Sequence, residues 1–141
     1  MRVVLDTDVV LAAMRSPRGA SAELMRLALA GQLRLVASVA LILEYEAVLT
    51  RMEHLSASGL THTQALSFVD GVAALAEPVT AWFLWRPQLR DPSDEMVLEA
   101  AVNGRTRTIV TFNVRDYGTA PVRFGIEVMR PAEALRRIRH G

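Results

Sequence analysis

Val3-Val4-Leu5-Asp6-Thr7-Asp8 is an apolar run that ends in two carboxylates, after which the chain returns at once to Val9-Val10-Leu11. A short run rich in β-branched residues predicts a buried strand, and acids at its carboxyl end lie where open α/β sheets place their ligands. Two carboxylates there are costly to desolvate without a positive or donating counterpart, so a divalent cation is the natural candidate. The same pair also fits a local role, with Asp8 capping the next helix and Asp6 making a turn.

Strand and helix signals alternate through the rest of the chain. Residues 2–6 form the first strand. Gly19 to Ala30 reads as an amphipathic helix with Leu24, Leu27 and Ala28 on one face and Gly31 at its end. Leu33 to Ala37 reads as a second strand. Ser38 caps a helix running to about Met52, and Thr61 opens another that reaches about Leu75, ahead of Glu77-Pro78. A short strand is expected at Val79 to Trp82. Asp91-Pro92-Ser93-Asp94 has the composition of a helix start, and that helix ends near Asn103-Gly104. Thr106 to Thr111 and Gly125 to Met129 read as strands, and Pro131 to Ile138 as a closing helix. Strands separated by helices predict an α/β fold with a parallel sheet covered on both faces.

The chain has 141 residues without internal repeats or linkers, which predicts a single domain over 1–141. Cysteine is absent, so disulfides, thiolate metal sites and a cysteine nucleophile are excluded. All 16 basic residues are arginines, which rules out Schiff-base, P-loop or general-base lysine chemistry. Against 15 acids they leave a net charge of +1, too small to steer the whole molecule toward polyanions. The longest apolar stretch, near Leu35 to Leu43, is too short for a bilayer span, and a soluble, unprocessed, cytoplasmic protein is expected.

Further acids fall where charge is unexpected. Leu41, Tyr45, Val48 and Met52 recur at helical spacing, and Glu44 lies on that inward stripe while Glu46 faces away. Asp94 stands in line with Val97, Leu98 and Ala101, whereas Glu95 and Glu99 point elsewhere; helix capping also accounts for an aspartate there. A buried strand then runs through Ile109, Val110 and Thr111 into a polar turn carrying Asn113 and Asp116. In a parallel sheet that turn shares an edge with Asp6, so the acids converge if the two strands are neighbours. An Asx turn at Asn113 and ion pairs of Asp116 with Arg115 or Arg105 remain open alternatives.

Residues 4–9, 41–49, 91–101 and 109–117, in that order and at those spacings, resemble the PIN-domain nucleases, and more narrowly the prokaryotic VapC-like toxins of toxin–antitoxin modules. The resemblance implies a three-layer α/β/α sandwich around a parallel sheet of four or five strands. It implies hydrolysis of RNA phosphodiesters at an acidic site holding Mg²⁺ or Mn²⁺, together with a cognate antitoxin and a homodimer. The family's acidic set falls on Asp6, Glu44, Asp94 and Asp116 as catalytic and metal-holding residues, with Thr7, Thr111 and Asn113 as polar support. At Asp8 the family usually has asparagine.

Hard oxygen ligands favour Mg²⁺ or Mn²⁺ over zinc, and His54, His62 and His140 are scattered along the chain. Arg15, Arg18 and Arg115 are candidates for drawing RNA to an acidic cavity. Phe112, Tyr117, Trp82 and Trp85 offer faces for base stacking, although with so few aromatics core packing is the favoured use of both tryptophans. Two other readings remain. The Asp-x-Asp start after an apolar strand also fits a haloacid dehalogenase-type phosphatase, and a PIN-like module could bind RNA or protein without cutting.

Overall fold

The computed structural model describes residues 1–80 and 88–141. Among them, five strands form one parallel sheet: β1 (Arg2–Leu5), β2 (Arg34–Ser38), β3 (Ala76–Val79), β4 (Thr108–Val110) and β5 (Glu127–Met129), in the order β3-β2-β1-β4-β5. The chain builds outward from β1 through β2 to β3, then returns past β1 to place β4 and β5 on its other side. The strand order therefore reverses between β1 and β4, which are hydrogen-bonded neighbours with Val4 opposite Ile109 and Leu5 opposite Val110. Val3, Val4, Ile109 and Val110 are fully buried, as strands covered on both faces require.

Among the same described residues, seven α-helices complete a three-layer α/β/α fold: α1 (Thr7–Arg15), α2 (Ala20–Leu29), α3 (Val39–Leu49), α4 (Met52–Ser58), α5 (His62–Leu75), α6 (Pro92–Asn103) and α7 (Pro131–His140). Helices α1 to α5 lie between β1 and β3 in the chain, and α6 precedes β4 on the far side of β1. Helix α6 packs across β1, β2 and β4. Val9, Val10, Leu24, Leu41, Leu98 and Ala101 are buried in the cluster that joins helices to sheet.

Several starts follow directly from local chemistry. Ser38 accepts from the Leu41 amide, Asp91 accepts from the Ser93 amide ahead of Pro92, and Thr61 with Gln64 closes a reciprocal capping box. Among the boundaries that differ from the sequence reading, two have a direct local cause. The helix expected from Ser38 to Met52 breaks at Thr50, whose hydroxyl donates to the Glu46 carbonyl at 2.7 Å, and Arg51 turns extended to start α4. The expected strand at Val79 to Trp82 begins earlier, at Ala76, so Glu77-Pro78 lies inside a strand. Proline is tolerated because, among the described residues, β3 is an edge strand that pairs only with β2. Trp82 and Trp85 lie outside the described residues. No helix among the described residues is long and apolar enough to cross a membrane.

Candidate active site

The reversal between β1 and β4 opens a crevice at the carboxyl edge of the sheet, the usual ligand position in this architecture. Asp6 occupies the N-cap position of α1, yet its side chain makes no capping bond. Its Oδ2 instead accepts from the Thr111 hydroxyl at 2.7 Å and from the Tyr117 hydroxyl at 3.0 Å. Burial pushes the Asp6 carboxyl up, and the two donors pull it back down. Tyr117 is fully buried, and burial beside Asp6 drives its pKa upward, so it stays a donor. Tyr45 lies beneath the same strand end, and its hydroxyl donates to the Leu5 carbonyl.

Asp8 is bound on one side only. Its Oδ2 accepts from the Phe112 amide at 3.0 Å and Asn113 Nδ2 at 3.1 Å, with Thr111 Oγ1 at 3.3 Å. Thr111 has one hydroxyl proton, and the shorter contact gives it to Asp6. The Asn113 amide in turn donates to Thr111 Oγ1 at 3.0 Å. Among the described residues, Asp8 Oδ1 and Thr7 Oγ1 are both buried without a hydrogen-bond partner. Burial, with Asp6 nearby, pushes the Asp8 carboxyl up to about 6.

Asp94, buried in the first turn of α6, is pushed up to about 7 by burial and then by the charges of Asp6, Asp91, Asp116 and Asp8. Those mutual fields tie acids from three separate stretches into one electrostatic centre. Glu44 is half-buried on α3, where its Oε1 accepts from the Ser93 hydroxyl at 2.9 Å, one residue before Asp94. Asp116 is exposed on a 3-10 turn (Val114–Tyr117), directly before Tyr117. Asp94 and Asp116 line a cavity of about 520 Å³ together with Asp91 and three arginines, Arg90, Arg115 and Arg123.

The structure thus gathers Asp6, Asp8, Asp94 and Asp116 around the crevice, with Thr111 and Asn113 between strands and turn, and Glu44 one hydrogen bond from the same helix turn. Arg15 ends α1, roughly 13 Å along the helix axis from its start, and its Nη1 faces His54 Nδ1 at 3.5 Å. Because α1 starts at Asp6, its length sets Arg15 at the far end of the helix from that acid. Glu95, read from the sequence as pointing away from the Asp94 stripe, is buried and accepts from the amides of Gln88 and Leu89, anchoring the segment before α6. The sequence reading considered Tyr117 only as a stacking ring, and a buried tyrosine's need for a hydroxyl partner was the signal for its place beside Asp6.

The donor set is all oxygen, its acids raise one another, and Asp8 Oδ1 lacks a partner, which suits a hard divalent cation. Among the described residues, no three acids or histidines stand close enough together to cage an ion. Mg²⁺ is compatible with that spacing, since it is commonly held by one or two carboxylates and keeps several waters.

A parallel sheet with an acid-ringed switch point defines an α/β protein whose chemistry belongs to carboxylates. Residues 2–115 match the family model of the PIN domain, and the chain belongs to that family. It is similar in fold to a chain in the crystal structure of VapBC2 from Rickettsia felis bound to a DNA fragment from their promoter. The TM-score is 0.63 at 14% identity, covering 92% of this chain and 98% of that one. No curated protein matches it.

Proposed function

We propose that the protein is a divalent-metal-dependent endoribonuclease, the toxin of a toxin–antitoxin pair, acting in the cytoplasm as a homodimer held in check by a cognate antitoxin. The observation that carries the reading is the convergence of Asp6, Asp94 and Asp116 at the β1–β4 crevice, where Asp94 feels the charge of both others. Membership in a nuclease family and the fold shared with a VapBC2 chain support it.

Asp6 and Asp94 are the residues to hold Mg²⁺ or Mn²⁺, with Asp116 and Asp8 Oδ1 within the same field. A bound divalent ion supplies screening of phosphate charge and acidification of a coordinated water near neutral pH. The chain's own residues set the geometry. Thr111 and Tyr117 fix the Asp6 carboxylate from two sides, which limits its rotation. Ser93 holds Glu44 Oε1 and leaves its other oxygen to orient an attacking water or accept its proton. Asp8 and Asn113 lock the turn that presents Asp116. Arg115, exposed beside Asp116, meets substrate phosphate at the rim.

Cleavage of a structured RNA pool with added Mn²⁺ or Mg²⁺ tests the reading. Wild type should cut, EDTA should stop it, and Asp6→Asn and Glu44→Gln should each lower kcat by about 10²-fold or more. Sequencing the cut ends then reads specificity. Metal-supplemented wild type that leaves RNA intact would overturn the proposal.

A further inference from the structure

Resting on the ribonuclease reading, we infer that the cavity of about 520 Å³ beside Asp94 and Asp116 is a subsite for the nucleotide adjoining the cleaved bond, its phosphate gripped by Arg90, Arg115 and Arg123. Two walls form it: residues 88–91, which lead into α6, and residues 115–123, which link two 3-10 turns. The walls are tied across the gap, because Arg123 Nη1 donates to Gln88 Oε1 at 3.2 Å. That bond orients the Arg123 guanidinium while using one of its five donors. Glu95 stiffens the same wall from behind through the Gln88 and Leu89 amides.

Arg90 and Arg115 are exposed, and neither forms an ion pair among the described residues. Three guanidiniums facing one cavity next to carboxylates would be an unfavourable arrangement for an apolar occupant. A phosphate suits it: the planar fork meets two oxygens at once, and the volume lies within the range of ordinary ligand pockets. Asp91 also lines the cavity, its Oδ1 accepting from the Ser93 amide, while the other two lining acids, Asp94 and Asp116, belong to the cutting centre. The cavity therefore continues directly from the acids to the arginines, the order in which successive groups along a nucleic-acid strand would lie.

Steady-state cleavage of a single-stranded oligoribonucleotide with Mn²⁺, across a salt series, tests this. Arg90→Gln and Arg123→Gln should each raise KM about ten-fold with little change in kcat. Each should also make the fall of log(kcat/KM) with log[salt] shallower by about 0.7, the single-strand value for one phosphate contact. Arg123→Lys should recover part of the loss, since it keeps the charge and gives up the fork. Arg136→Gln, on exposed α7, should match wild type. Wild-type KM and salt slope in both glutamine variants would remove the subsite while leaving the ribonuclease intact; an inactive wild type would overturn the ribonuclease reading and the subsite with it. Should Arg123→Gln fail to fold, exposed Arg90→Gln decides alone.

Discussion

Asp8 has one oxygen saturated by the turn after β4 and the other buried without a partner, an arrangement that an asparagine could satisfy only by aiming its amide at one side. Its carboxyl, at about 6, and that of Asp94, at about 7, are both raised above the ordinary 3.8, first by burial and then by neighbouring acids. A carboxyl raised by folding favours the folded state while protonated, so its contribution is full below about pH 4 and is lost as pH climbs through 6 to 7. The metal-free protein should therefore show a Tm that falls between pH 4 and pH 8. Because a cation binds the ionised acids, Mn²⁺ should raise Tm more at pH 8 than at pH 5. Differential scanning fluorimetry in EDTA and in MnCl₂ measures both, and Asp94→Asn should flatten the slope.

Helix α6 sets Asp94 in place at its start, and its end shows how tightly it is docked. Gly104 has an ordinary helical φ of −82°, so conformational freedom does not explain it. A Cβ there would lie 2.8 Å from Val36 Cγ1 and 3.0 Å from Val79 Cγ2, so glycine is needed for close approach to β2 and β3. The left-handed position falls instead on Arg105, with φ 52°, and Thr106 N bonds back to Ala101 O at 2.9 Å to close the end. Gly104→Ala should cost about 1–3 kcal/mol through overpacking. Arg105→Gly should stabilise by about 0.5 kcal/mol by relieving the left-handed backbone. Urea denaturation of the two variants checks the pair, whose opposite signs separate packing from backbone strain. The start of this helix was readable from Asp91-Pro92, whereas the tight docking at Gly104 depends on strands distant in sequence.

Across the molecule, acids crowd the carboxyl edge of the sheet, while α3 leaves an apolar face uncovered. Val39 is 72% and Leu43 57% exposed, beside a groove of about 250 Å³ walled by Ile42, Ala73 and Pro78 on the β3 edge. Contiguous exposed apolar surface next to an edge strand marks a contact face, and this is where the proposed homodimer would form. Sedimentation velocity should show wild type as a dimer and Leu43→Glu shifted to a folded monomer, whose Tm no longer depends on protein concentration. A monomeric wild type would remove the dimer and leave the active site untouched.

Local patterns in the sequence determined the alternation of strands and helices, the caps at Ser38, Thr61 and Asp91, and the acids at strand and helix ends, because each depends on neighbours within a few residues. The resemblance across four motifs in order carried the family and the acidic set. Tertiary structure alone decided that β1 and β4 are adjacent, that Tyr117 and Thr111 share Asp6, that Ser93 holds Glu44, and that Arg15 meets His54 at the end of α1. Those facts hinge on which strands pair and which way α1 runs. Both are set by burying apolar faces contributed by segments up to a hundred residues apart, which no local spacing encodes.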